Sequence, residues 1–428
     1  RWDVIQAYEE ALHRCEEGFF PAVPSIGSLG ASGDLIPLAH LLNCILGKGT
    51  WLRSLDPASS IPSQSSRSHR TGEDAVEAVA AVGWTGQAAQ RFPALLDPTG
   101  LDRREALACT NGISFSKAQA SLAYARLERL LGIHEILVAA LYRLLDANPE
   151  HLATELHLCR ANGDTAMRIR SRLASLSVPV GQDQDPRERR EGYDLQAPYS
   201  IRCAPQILGA CFQGLEGSLD LLRHDLSMVD DNPLLDPKSG GLLHGGNFFG
   251  QATAFASDQM ATLACQSGVL AERQLALLLD PQFNASGLML ASQPGTASGL
   301  AGLQLNSTAL VAEMRSLTGC HSTYSIPTNG KNQDVVPMSF LAARRAYEVG
   351  EHLASLLGAL FLAIDEFWQQ RFAAGAPIWK ADFLQTWTGE RSPEGDPFPG
   401  SSTLGQRLAH IKSAFLQPEI LDHENLQA

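Results

Sequence analysis

Three long stretches carry apolar residues at the spacing of a helix face. Val349, Leu353, Leu356, Leu360, Ile364 and Phe367 step by 4, 3, 4, 4 and 3. That series predicts a helix over residues 337–367, with Pro337 as its first residue. Phe115, Ala118, Leu122, Leu130, Leu137, Leu141 and Leu144 recur in the same way over residues 114–145, after an Asn111-Gly112 start. A proline-free run over residues 252–279 places Met260, Leu263, Leu270 and Leu277 on one side. A further helix is already in progress where the chain begins, at Val4, Ala7, Tyr8 and Ala11. Strand-type alternation is sparse. The expected fold class is therefore mainly α, a bundle of long helices. Residues 56–71 and 183–191 are polar and read as solvated insertions. Residues 389–400, rich in proline and glycine, read as a connector before a short final helix.

Composition narrows the function. The chain has 428 residues, 44% hydrophobic and 18% charged, enough to bury a large core in one or two cooperative units. Its net charge is −13, with 33 basic against 46 acidic residues and no polybasic run. This argues against nucleic acid and anionic membrane as partners. The longest apolar run, residues 353–364, is shorter than the ~20 residues a bilayer requires, and Glu348, Glu351, Asp365 and Glu366 flank it. It reads as a buried helix. The eight cysteines form no CxxC pair, so reduced thiols in a cytoplasmic protein are expected. The twelve histidines show no HxxxH or HExxH spacing, and no metal site is expected. The start of the chain has no charged n-region or apolar h-region, so no signal peptide is expected. A helix already under way there implies that the true N-terminus lies upstream.

Chemistry concentrates in Gly27-Ser28-Leu29-Gly30-Ala31-Ser32-Gly33-Asp34-Leu35. Glycines around an Ala-Ser pair mark a tight, strained loop with close backbone approach. A phosphate-cradling loop would need GxxxxGK[ST] or GxGxxG, and neither is present. On these nine residues alone, a plain glycine turn before a helix near Leu35 and a functional loop weigh evenly.

The segment PSIGSLGASGDLIPLAH, residues 24–40, resembles the signature of the histidine/phenylalanine ammonia-lyase family, whose members use a methylidene-imidazolone (MIO). In that family Ala-Ser-Gly cyclises: the glycine nitrogen attacks the alanine carbonyl, and loss of water leaves an electrophilic CH₂. Carried onto this chain, the resemblance implies an MIO formed from Ala31, Ser32 and Gly33, with no metal or nucleotide. Further segments agree in order. Leu107-Ala108-Cys109-Thr110-Asn111-Gly112 resembles the family's asparagine-glycine element; it implies that Asn111 contacts the prosthetic group and the substrate carboxylate, although alone it would equally serve as a helix cap. Gln196-Ala197-Pro198-Tyr199-Ser200-Ile201-Arg202-Cys203 resembles Q-x-x-Y-S-x-R-C. It implies Tyr199 beside the methylidene carbon and Gln196 and Arg202 at the substrate, with a guanidinium suited to bidentate carboxylate binding. Gly245-Gly246-Asn247-Phe248 resembles the family's G-N-F and implies that Phe248 lines the pocket. Asp231-Asn232-Pro233 and Ala271-Glu272-Arg273-Gln274 also fit, as a turn and as a helix carrying subunit contacts.

At Asn332-Gln333-Asp334-Val335-Val336, Gln333 stands where histidine-specific members place a glutamate. A neutral amide holds an imidazole less well than a carboxylate does. Residues 308–338 look most like bacterial phenylalanine or tyrosine aminomutases and related lyases. The resemblance thus implies an ammonia-lyase acting on phenylalanine or tyrosine, with a 2,3-aminomutase, a histidine ammonia-lyase or a non-catalytic helical homologue as alternatives. It further implies a fumarase/aspartase-like helical fold. Residues 1–200 would carry the MIO loop, incomplete at their start, and residues 201–428 the central bundle and C-terminal helices. A homotetramer with active sites shared among subunits is expected. The family's presumed base is a tyrosine upstream of the triplet. Tyr8 is the sole tyrosine there and sits in a different context, which implies a base outside these 428 residues.

Overall fold

The computed structural model describes residues 1–53, 91–97, 100–176, 196–284, 287–293, 295–371 and 403–417. The stretches 56–71, 183–191 and 389–400 lie outside them. The described residues are mainly helical and form two compact units, each assembled from separated parts of the chain.

The first unit comprises residues 1–121, 220–258 and 320–348. It opens with α1 (Trp2–Glu16), β1 (Phe19–Pro21), α2 (Leu35–Ile45) and β2 (Trp51–Arg53). The two short strands pair antiparallel, Phe19 with Arg53 and Pro21 with Trp51. Apolar residues at helical spacing on α1, Val4, Ala7 and Ala11, are buried with Ile45, Trp51 and Leu96. Phe92 packs edge-on against Phe19 and Trp51. Helix α3 (Arg103–Ala108) begins with a full capping box, Asp102 on the Arg104 amide and Glu105 on the Asp102 amide. A second antiparallel pair, β3 (Leu234–Leu235) and β4 (Leu242–Leu243), forms a hairpin whose leucines are largely exposed.

The second unit comprises residues 122–219, 259–319 and 349–428. Its helices include most of α4 (Ser114–Leu144), α5 (Arg160–Ser175), the single turn α6 (Tyr199–Arg202) and most of α7 (Ala204–Ser227). They continue with most of α8 (Gln251–Leu279), α9 (Pro281–Asn284), α10 (Ala301–Leu317), most of α11 (Ser339–Arg371) and α12 (Leu404–Leu416). Gly268 of α8 lets Met314 of α10 and Leu356 of α11 approach its backbone. Gly214 of α7 does the same for Leu263 of α8. Arg126 of α4 pairs with Glu351 of α11 at 3.4 Å, and Phe361 of α11 meets Phe415 of α12 edge-on. Glu135 is almost fully buried on α4, where Arg168 and Arg172 of α5 hold it, each within 2.7 Å. Leu353, Leu356, Leu360, Ile364 and Phe367 are all buried. Helix α11 is long and apolar enough to cross a membrane, but its apolar window is 78% buried, as in a core helix.

Helix α11 starts at Ser339, two residues after the expected Pro337, and runs on to Arg371. Met338 has φ +54°, a left-handed conformation that no α-helix contains. Its side chain is buried against Ala31 and Val336, and this packing sets the break.

Candidate active site

The Ala31-Ser32-Gly33 triplet sits in the loop between β1 and α2. Ser32 has φ +56° and Gly33 φ +78°, consecutive left-handed residues in a sharply compacted turn. A Cβ on Gly33 would collide with the backbone of Gly112, so glycine is required for the two loops to touch. The Asp34 amide donates to the Gly112 carbonyl at 2.6 Å. Gly30 is pressed against Ser339 at the start of α11, and its carbonyl accepts from the Gly250 amide at 3.1 Å. The loop is thereby clamped between the Asn111-Gly112 corner and the segment that leads into α8.

Asp34 completes the clamp. Its carboxylate accepts from the Ser28 hydroxyl at 2.5 Å, and from the Ser116 amide and hydroxyl at 2.8 Å each. It therefore caps the first turn of α4, where a negative charge suits the helix dipole. Burial pushes this carboxyl above its usual range, against the opposing pull of its hydrogen bonds to Ser28 and Ser116. Asp34 belongs to the motif, yet only the fold shows the distant partner it holds.

Gln333 reaches the triplet directly: its Nε2 donates to Ser32 Oγ at 2.6 Å. A backbone bridge with Thr328 and the Val336 amide bonded to Ser325 Oγ hold its loop. Farther back, Asp258 accepts from the His321 and Ser322 amides at 3.1 and 2.9 Å. Burial alone would raise the Asp258 carboxyl, but hydrogen bonds from the His321 and Ser322 side chains and amides outweigh it and leave the group below its usual range.

Asn111 is 7% exposed, and its Nδ2 donates to the Asn232 carbonyl at 3.0 Å. Asn232 Oδ1 in turn accepts from the Gly245 amide at 2.8 Å. Beneath this corner, Asp230 accepts from the Ile113 amide and pairs with the nearly buried Lys117 at 3.0 Å. Phe248 is half-buried. The neighbouring Phe249, which the motif did not single out, is the one that packs against the Ala31 cluster. Tyr8 lies in the α1 core; burial and the nearby Cys109 push its hydroxyl up, so it is no candidate base.

Gln196, Tyr199 and Arg202 form a separate group in the second unit. Arg202 Nη2 donates to Gln196 Oε1 at 3.2 Å and Nε to the Ala197 carbonyl at 3.3 Å. Its guanidinium lies 4.9 Å from the centroid of the Tyr199 ring, a cation–π stack. Tyr199 is 70% exposed. The turn thus presents a phenol and a preorganised guanidinium side by side. Among the described residues no group of three metal-binding side chains occurs.

Comparison with known proteins identifies the family. Tyrosine ammonia-lyase of Cereibacter sphaeroides is 35% identical over 93% of this chain and 73% of its own length. Histidine ammonia-lyase of Vibrio cholerae is 31% identical over 85% of this chain and 65% of its own length, so the chain spans slightly under two thirds of that relative. The crystal structure of tyrosine aminomutase from Streptomyces globisporus superposes with a TM-score of 0.69 at 29% identity, covering 95% of this chain and 74% of that one. The sequence profile of the family described as "Aromatic amino acid lyase" matches residues 1–372, a span that includes the clamped triplet, the Asn111 corner, the Tyr199–Arg202 turn and Gln333. The chain belongs to the aromatic amino acid lyase family.

Proposed function

We propose that this protein is an ammonia-lyase that eliminates ammonia from phenylalanine or tyrosine to give an arylacrylate. The observation that carries this reading is the clamped Ala31-Ser32-Gly33 turn with the neutral amide of Gln333 on Ser32 Oγ. The residues fit an MIO: Gly33 has no side chain to obstruct its nitrogen, Ala31 is small and buried, and Ser32 carries the hydroxyl that dehydration requires. Once formed, the MIO supplies an electrophilic carbon that makes the substrate amine a good leaving group. Arg202, held by Gln196 and stacked on Tyr199, would grip the substrate carboxylate together with Asn111. Tyr199 would orient the reacting centre and assist proton transfer. Phe248 would line the aryl pocket. Gln333, a neutral amide, would favour a phenyl or phenol ring over an imidazole.

The likeness to a solved tyrosine aminomutase supports a second reading in the same site. If the arylacrylate is retained, the amine can re-add at the β-carbon to make a β-amino acid. Incubation with phenylalanine, tyrosine and histidine separates these outcomes. Phenylalanine or tyrosine should yield arylacrylate or β-amino acid far faster than histidine yields urocanate. The arylacrylates should also bind about tenfold more tightly than urocanate, the equivalent of ~1.4 kcal/mol. Preference for histidine would overturn the role given to Gln333.

We further propose a cytoplasmic homotetramer in which Tyr199 and Arg202 of one copy complete the Ser32 site of another. The exposed Tyr199 and the exposed leucines of the β3–β4 hairpin are surfaces that such an assembly would cover. All eight cysteines are free. Light scattering should show a tetramer; a stable monomer would defeat the shared site.

A further inference from the structure

Helices α4 and α8 hold a buried polar line that the chemistry above does not use. His134, Ser267 and Gln274 each have no exposed surface. His134 Nδ1 lies 2.8 Å from Ser267 Oγ, and His134 Nε2 lies 2.8 Å from Gln274 Oε1. Gln274 Nε2 lies 2.8 Å from the Ser200 carbonyl, in the middle of the Tyr199–Arg202 turn.

The direction of every proton in this line is determined. A carbonyl only accepts, so the Gln274 amide nitrogen must face Ser200, and the opposite orientation would set two oxygens against each other. Gln274 Oε1 then faces His134 and must accept, which places the imidazole hydrogen on Nε2. His134 Nδ1 is left to accept from the Ser267 hydroxyl. Burial lowers the imidazole pKa to about 4, so the ring stays neutral, as this single tautomer demands. The next carbonyl of the turn is anchored as well, by the Tyr142 hydroxyl donating to Ile201 at 3.2 Å. A single helical turn has few backbone donors for its last carbonyls, so side chains supply them. Well-packed apolar residues would fill this core at least as favourably. The polar line is instead aimed at the one turn that carries Tyr199 and Arg202.

We propose that Gln274 and His134 are positioning residues that hold the Tyr199–Arg202 turn where Arg202 can engage a substrate carboxylate. This inference rests on the carboxylate role proposed for Arg202 above, and it concerns residues that do not themselves touch substrate.

Binding of cinnamate or 4-hydroxycinnamate, measured by calorimetry on the whole protein, tests it. Gln274→Met removes both bonds. Gln274→Leu also removes both bonds with a branched apolar side chain, and it carries the test if the methionine variant does not fold. Both should weaken binding roughly tenfold, the scale of one directed hydrogen bond. Both should keep the mass deficit of the triplet, which lies in the other unit. In an Arg202→Ala background, Gln274→Met or Gln274→Leu should cause no further loss, because the group Gln274 positions is gone. Unchanged binding in both Gln274 variants, or a loss that adds fully to that of Arg202→Ala, would overturn this inference alone. Failure of the unaltered protein to bind either cinnamate or 4-hydroxycinnamate would overturn the proposed function and this inference with it.

Discussion

Ser32→Ala is expected to yield a folded protein with the intact mass its sequence encodes, whereas the unaltered protein weighs two water molecules less. It is also expected to lose essentially all ammonia-lyase activity. Cyclisation removes one water as the Gly33 nitrogen joins the Ala31 carbonyl carbon, and dehydration of the Ser32 side chain removes the second. Alanine has no hydroxyl to lose, so the electrophilic carbon cannot form. The fold should tolerate the change. Ser32 already occupies a left-handed conformation at φ +56°, and alanine pays a similar steric cost there. Relative to the chain before cyclisation the loss is one hydrogen bond from Gln333, worth about 0.5–1.5 kcal/mol. Intact-mass spectrometry and a melting curve read both parts. Cyanide or borohydride should inactivate the unaltered protein by attacking the CH₂. An unmodified mass for a well-folded, unaltered sample would remove the catalytic reading.

Arg202→Ala is expected to lower kcat/KM by roughly 2–5 kcal/mol of transition-state binding, the cost of breaking a desolvated charge pair with the substrate carboxylate. The guanidinium is preorganised: Gln196 and the Ala197 carbonyl hold its edge, and the Tyr199 ring lies against its face. Lysine cannot reproduce the planar two-point contact or the stack, so Arg202→Lys should recover only part of the loss. Steady-state kinetics and arylacrylate affinity measure it. The mass deficit should survive in both variants, which separates substrate binding from formation of the electrophile. A kcat/KM within about twofold of the unaltered protein would place carboxylate recognition on another residue.

The residues that make the long helices were readable in order, because helical periodicity is a local property. Val349 to Phe367 keep one face at 3- and 4-residue steps, and that face is buried. The proline-free run over residues 252–279 became Gln251–Leu279, and the pattern over residues 114–145 became Ser114–Leu144. The family was legible for a related reason. Ala31-Ser32-Gly33 and the Gln196-to-Cys203 octad are contiguous, and their chemistry dictates residue types at fixed spacing.

What the sequence could not determine is held by contacts between distant segments. Gln333 and Ser32 are 301 residues apart, and only the folded loop brings the amide onto the hydroxyl. The need for glycine at position 33 comes from the Gly112 backbone. Asp34 reads as a residue before a helix, but its carboxylate caps a different one, through Ser116. Pro337 looked like a helix start until burial of Met338 beside Ala31 set the break after it. Phe249 rather than Phe248 packs against the cluster of Ala31, Val336 and Met338, because a one-residue difference decides which side chain the turn into α8 points at it. Gln274 and Ser200 stand in segments that resemble the family, but nothing in the sequence joins them to each other or to His134 and Ser267. A hydrogen bond depends on direction and on distance to a few tenths of an ångström, and helix packing, not residue order, sets both.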